Sequence, residues 1–101
     1  MKKIRSIMCC CGSGLGSSMM VEMNIQNILK NMDLHTISVG HTSLSEVNPM
    51  MADLFVVGLD IEHQMRQYPR VIVLKDLVSN EELSEKLKEA FSKEEDTYII
   101  K

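Results

Sequence analysis

Short apolar runs alternate along this chain with stretches whose apolar residues recur at helical spacing, and that alternation leaves few folds open. Ile4 to Cys10 is apolar apart from Arg5 and Ser6, Asp53 to Gly58 encloses Leu54-Phe55-Val56-Val57, and Arg70-Val71-Ile72-Val73-Leu74 begins straight after Pro69. Runs this short and this continuous read as strands covered on both faces, the habit of parallel sheets. His35 to Val39 reads as one more strand, closed by Gly40. Between the first two strands, Val21, Ile25, Ile28, Leu29 and Met32 form a helical stripe expected to start from a Ser17 or Ser18 cap. Met19, Met20 and Met23 widen that stripe and read as core filler, with a pliable docking surface as the alternative.

The later segments carry start signals of their own. Ser43-Leu44-Ser45-Glu46 has capping-box spacing for a short helix ended near Asn48-Pro49, and Asp60 is placed to cap a turn or two carrying Ile61 and Met65. Ser79-x-x-Glu82 is a second capping box, with Val78 and Leu83 spaced as a hydrophobic staple and Leu83, Leu87, Ala90 and Phe91 as the buried stripe. Four strands separated by helices predict an α/β fold with a parallel sheet and right-handed crossovers.

Its 101 residues, 45% apolar and 25% charged, suit one domain spanning 1–101. The tail from Glu94 sends mixed signals, acidic at first and then Tyr98-Ile99-Ile100, and partial disorder is expected over 95–101. A net charge of −3 without any basic cluster disfavours nucleic acid as a partner. No apolar stretch is long enough for a membrane span, and Arg5 and Ser6 interrupt the N-terminal run too early for a secretory signal. Cys9, Cys10 and Cys11 are contiguous, so they cannot staple distant segments, and a reducing cytosol is expected. With His35, His41 and His63 lacking zinc-ligand spacing, no metal and no cofactor are expected.

The chemistry concentrates at the end of the first strand. Gly12, Gly14 and Gly16 allow a sharp turn with backbone N–H groups presented unobstructed, and Ser13, Leu15, Ser17 and Ser18 complete a loop suited to a phosphate at a helix N-terminus. The dinucleotide fingerprint fails because Ser17 stands where its third glycine belongs, and no Lys follows the glycines as a nucleotide loop requires. Cys11 directly precedes the glycines. An ordinary thiol with a pKa of about 8.5 is only about 3% thiolate at pH 7, and amides with the positive end of a helix dipole raise that fraction. Cys11 is therefore the candidate nucleophile toward phosphorus, at the carboxyl end of a strand where ligands of such sheets bind. Cys9 and Cys10 read as small strand residues, and His41 and His63 as surface or capping residues rather than phosphate carriers.

The stretch Cys11 to Ile25, CGSGLGSSMMVEMNI, closely resembles the enzyme IIB components of the phosphoenolpyruvate-dependent sugar phosphotransferase system, most of all the ascorbate-type branch. After Gly40 only the order of elements agrees. The resemblance implies a flavodoxin-like sandwich with strand order 2-1-3-4 and helices on both faces. It also implies a phosphotransferase in which Cys11 accepts phosphate from a phosphohistidine of enzyme IIA and passes it to ascorbate or a related sugar or pentitol held by the membrane enzyme IIC. Residues Gly12 to Ser18 would cradle the phosphate, and the domain would sit in the cytoplasm, peripheral to the permease. Leu15, Met19 and Met20 give the rim around the thiol the apolar character of a transient docking patch.

Two other readings compete. Low-molecular-weight tyrosine phosphatases share a strand, Cys-x5-Arg-Ser loop and helix, but Ser17 occupies the position of their arginine and no Asp-Pro pair is present to supply an acid. Without a bidentate guanidinium on the equatorial oxygens, hydrolysis is poorly assisted. A non-catalytic regulatory domain of the same fold would tolerate loss of the thiol loop, which here is intact.

Overall fold

The apolar runs pair side by side, all in one direction. The computed structural model describes residues 4–11 and 15–101, and the side chains of residues 4–10 and 19–101. In it β1 (Ser6–Cys11), β2 (Ser38–Ser43), β3 (Leu54–Gly58), β4 (Arg70–Leu74) and β5 (Tyr98–Ile100) form one parallel sheet in the order β2-β1-β3-β4-β5. The first four strands keep the expected order 2-1-3-4, as a flavodoxin-like sandwich would. The expected count of four is corrected by β5, formed by Tyr98–Ile100 of the tail, which adds to the β4 edge. Tyr98 donates its amide to Pro69 O at 2.8 Å, the buried Arg70 donates through Nε to Asp53 O and through Nη1 to Asp96 O at 2.7 Å, and Lys101 pairs with Glu62 at 2.6 Å.

Two helices, α1 (Leu15–Asn31) and α2 (Asn80–Ser92), cover the same face. Val21, Ile25 and Leu29 of α1 and Leu83, Leu87 and Ala90 of α2 share one core with Ile7, Cys9, Leu54, Val56, Ile72 and Leu74. On the opposite face Cys10, Phe55, Val57, Val71 and Val73 are covered by Ile61 and Met65 of a 3-10 helix (Leu59–Gln64), with Leu44, Val47 and Tyr68 at its margin. Phe55 and Tyr68 meet edge to face, 4.9 Å apart at 82°. Among the described residues the second face thus carries the expected short helix at Ile61 and Met65, as a 3-10 helix, and a turn in place of the brief helix expected after Ser43.

That arrangement fixes the hands of the crossovers. The link from β1 to β2 runs one way across the sheet over the α1 face, and those from β2 to β3 and from β3 to β4 run the other way over the opposite face. All three therefore share one hand, which by the near-universal preference is the right. The β4–α2–β5 unit runs in the second direction over the α1 face, so its hand is opposite. The physical reason lies in what was left bare: Ile72 and Leu74 needed cover on the α1 side, whereas the far side already had Ile61, Met65 and Tyr68.

Several local expectations shift. β2 runs Ser38–Ser43, with Gly40 inside it rather than closing it, and a Cβ there would touch Met8 at an ordinary 3.6 Å. The expected Ser43–Glu46 capping box is not made: Ser43 Oγ donates to Glu46 Oε1 at 3.3 Å, the Glu46 and Val47 amides go to Ser43 O instead of Oγ, and the backbone completes only a turn before Asn48-Pro49. α1 starts at Leu15, which puts Ser17 and Ser18 inside it rather than at its cap. The 3-10 helix is capped by Gly58 without any side-chain bond, so Asp60 is not its N-cap. At α2 the Ser79 cap is confirmed, its Oγ accepting from Glu82 N at 3.1 Å, while Val78 stays exposed and forms no staple.

Candidate functional site

β1 lies between β2 and β3, and the chain leaves it toward β2 while β3 feeds the other half of the sheet. The carboxyl ends of β1 and β3 are therefore the switch point at which parallel sheets open a binding crevice. Cys11 is the last residue of β1, in register with Ser43, the last of β2, and α1 begins only four positions later at Leu15. Residues 15–18 are the first turn of α1, where helical geometry leaves backbone N–H groups without intrahelical acceptors. Gly12, Ser13 and Gly14 lie outside the described residues, as do the side chains of Cys11 and of residues 15–18.

Around this point the carboxyl edge is completed by the turn after β2, by Leu59 and Asp60 after β3, and by the loop from Lys75 to Ser79 after β4. Apolar side chains stand out along it. Met19, Met20 and Met23 are exposed at 48%, 36% and 58%, which corrects their reading as core filler, and Leu59 and Val78 are exposed too. Asp60 is exposed, and its Oδ1 lies 2.8 Å from where a Cβ on Gly58 would be, so the carboxylate folds back over the strand end.

Cys9 and Cys10 are buried on opposite faces of the sheet, at 1% and 2% exposure, in keeping with their expected place inside the strand. Burial, with Cys10 a lesser cause, pushes the Tyr68 phenol above its ordinary value of 10. His63 is exposed next to Gln64, and His35 pairs with Asp33 at the surface. Among the described residues no group of His, Cys, Asp and Glu is placed to hold a metal ion, and no helix is long and apolar enough to cross a membrane.

Two polar networks escaped the sequence reading. His41 of β2 hydrogen-bonds through Nδ1 to Glu22 Oε1 of α1, and Gln26 donates to Glu22 Oε2 at 3.2 Å. Nothing local couples residues nineteen apart, so no pattern along the chain could have found the first bond. At the end of β4 the Glu82 carboxylate accepts from Lys75 N at 2.8 Å, Asp76 N at 3.0 Å and Lys86 Nζ at 2.6 Å, and Lys86 also reaches Val73 O. Burial pushes the Glu82 carboxyl up, but those three donors together hold it below its ordinary value. Only the capping role of Glu82 was visible in its spacing from Ser79.

Fold and switch point together define a small α/β domain with a cysteine where the first strand hands over to the first helix. Over residues 6–89, from β1 well into α2, the chain matches the family model of the PTS system lactose/cellobiose specific IIB subunit, and it belongs to that family. No curated protein gives a significant match. Membership makes the chain a IIB component with a phosphocarrier role in a sugar phosphotransferase system, with phosphotransferase activity of that general class and with IIA and IIC partners.

Proposed function

We propose that Cys11 is the residue that carries the phosphoryl group, taking it from a phosphohistidine of enzyme IIA and handing it to a carbohydrate bound in enzyme IIC. The observation that supports this most is positional: Cys11 ends β1 at the switch point, and the first turn of α1 follows after three intervening residues. Attack by the thiolate on phosphorus forms the S–P bond as the N–P bond to the histidine breaks, and the imidazole leaves with the electron pair. In the second step the acceptor hydroxyl attacks, the S–P bond breaks, and the thiolate is regenerated while the hydroxyl proton passes to a base on the acceptor side. Backbone N–H groups of Gly12 to Ser18 would offset charge on the three phosphoryl oxygens in both steps. The absence of an arginine at position 17 fits a carrier that must not hydrolyse its cargo.

Leu15, Met19 and Met20 are the proposed docking rim, on a domain residing in the cytoplasm at the face of its permease. The proposed cargo is ascorbate or a related sugar or pentitol, from the loop resemblance, whereas the matching family model is described by lactose and cellobiose. Uptake of each of these compounds, in cells with and without the encoding locus, separates them.

The test of the carrier role is labelling from phosphoenolpyruvate through the general phosphotransfer proteins and a cognate enzyme IIA. Cys11→Ser is expected to abolish a label whose acid and base stability is that of phosphorus on sulfur, while Cys9→Ser and Cys10→Ser retain it. Label persisting in Cys11→Ser, or Cys11-dependent hydrolysis of an aryl phosphate at enzymatic rates, overturns the assignment.

A further inference from the structure

The apolar contacts that seat α1 on the sheet run through Val21, Ile25 and Leu29. Burial of apolar area is non-directional, so it resists lifting the helix off the sheet far more than sliding it along its own axis. Such sliding changes the distance between the N-terminal amides of α1 and the end of β1. A directional polar bond between helix and strand removes that freedom, as buried polar pairs do when they fix register.

One such bond is present. Glu22 lies seven positions after Leu15, about two turns into α1, and both of its carboxylate oxygens are engaged, by His41 Nδ1 and by Gln26 Nε2. The His41 and Glu22 side chains are only 27% and 18% exposed. On the strand side, His41 is in register with Cys9, and two residues further along the same pairing Ser43 is in register with Cys11. The bond therefore ties the second turn of α1 to the strand that runs beside the Cys11-bearing one, close to its carboxyl end. To donate to a carboxylate, Nδ1 must hold the ring proton.

We infer that His41 and Glu22 are a positioning pair, which sets the approach of the α1 N-terminus to Cys11 without either residue touching the phosphoryl group. The inference rests on the reading of Cys11 as the carrier thiol. A misplacement of about 1 Å at a reacting centre can lower a rate on the order of 100-fold, so even a short slide of α1 is consequential.

The test is the pH dependence of Cys11 alkylation by iodoacetamide, with the modified residue assigned by fragment mass spectrometry and the melting temperature of each variant recorded. His41→Ala and Glu22→Ala are both expected to raise the midpoint of the Cys11 profile, by enough to slow alkylation about threefold below it, because both release the helix. His41→Asn, whose amide nitrogen sits where Nδ1 sits, is expected to restore the wild-type midpoint, and His41→Gln to restore it less. Simple charge effects predict opposite signs, since losing a carboxylate alone makes a nearby thiol more acidic. Opposite shifts in the two alanine variants, or unchanged midpoints with lowered melting temperatures, overturn the inference. A wild-type midpoint near the ordinary thiol value of about 8.5 instead overturns the activated-thiol reading beneath it.

Discussion

Asp33 is the one described non-glycine residue with positive φ, at 61°, and it stops α1. Leu34 donates its amide to Leu29 O at 2.9 Å and Asp33 to Lys30 O at 3.1 Å, the paired bonds of a Schellman ending in which Asp33 takes the left-handed position that glycine prefers. A carboxylate there also meets the negative end of the helix dipole. Asp33→Gly is expected to stabilise the fold by about 0.5–1 kcal/mol, raising the calorimetric melting temperature by about 4 °C, because the lost partner His35 is at the surface where ion pairs contribute little. At this scale the sequence was legible for residues whose neighbours along the chain decide their fate. Cys9 and Cys10 were read correctly because alternation in a doubly covered strand buries both. Met19, Met20 and Met23 were not, because helical spacing gives the face of α1 they share but not whether the sheet extends beneath it at that end.

Among the elements, β4 was read to the residue and α2 by its Ser79 cap, since Pro69 and the capping box are contiguous signals. β2 was displaced toward Ser43 because Gly40 looked like a terminator. Its conformation is held by pairing with β1 from Ser6 to Cys11, a non-local contact that overrides the weak strand propensity of glycine. Glu82 shows how one residue can serve two elements, capping α2 through its amide and tethering the loop after β4 through its carboxylate. Since its folded carboxyl is held below the ordinary 4.5, it binds protons more weakly than in the unfolded chain. Its contribution is accordingly complete above about pH 4.5 and is lost as the pH falls through the lower folded value. Glu82→Gln is expected to destabilise the fold on the order of 2 kcal/mol at pH 7, with the gap from wild type closing on acidification below that window. Urea titrations at stepped pH measure it, and a pH-independent gap would remove the carboxylate from the account.

For the molecule as a whole, the opposite hand of the β4–α2–β5 unit marks β5 as a strand held by different means from the other four. It is three residues long, pairs with β4 alone, and depends on Arg70, whose two donors bind backbone oxygens of Asp53 and Asp96. Arg70→Met keeps much of the aliphatic stem but no donor. Amide exchange over Tyr98–Ile100 is expected to accelerate on the order of tenfold while β1 and β3 are unaffected, as hydrogen-exchange mass spectrometry can show. Equal acceleration across the whole sheet would mean that Arg70 supports global stability instead. The fifth strand was illegible for the same reason: Tyr98-Ile99-Ile100 is too short to declare itself, and its partners lie 28 positions earlier in the chain.

Because every strand runs the same way, the described residues just before β1 and just after β5 lie at opposite rims of the sheet. Ile4 enters ahead of β1 on the amino side, whereas Lys101 follows β5 and is pinned to Glu62 in the 3-10 helix on the carboxyl side, where Cys11 lies. A purification handle or fused module attached through Lys101 would crowd the approach of any protein visiting that rim, and would disturb the ammonium that holds the Glu62 carboxyl below its ordinary value.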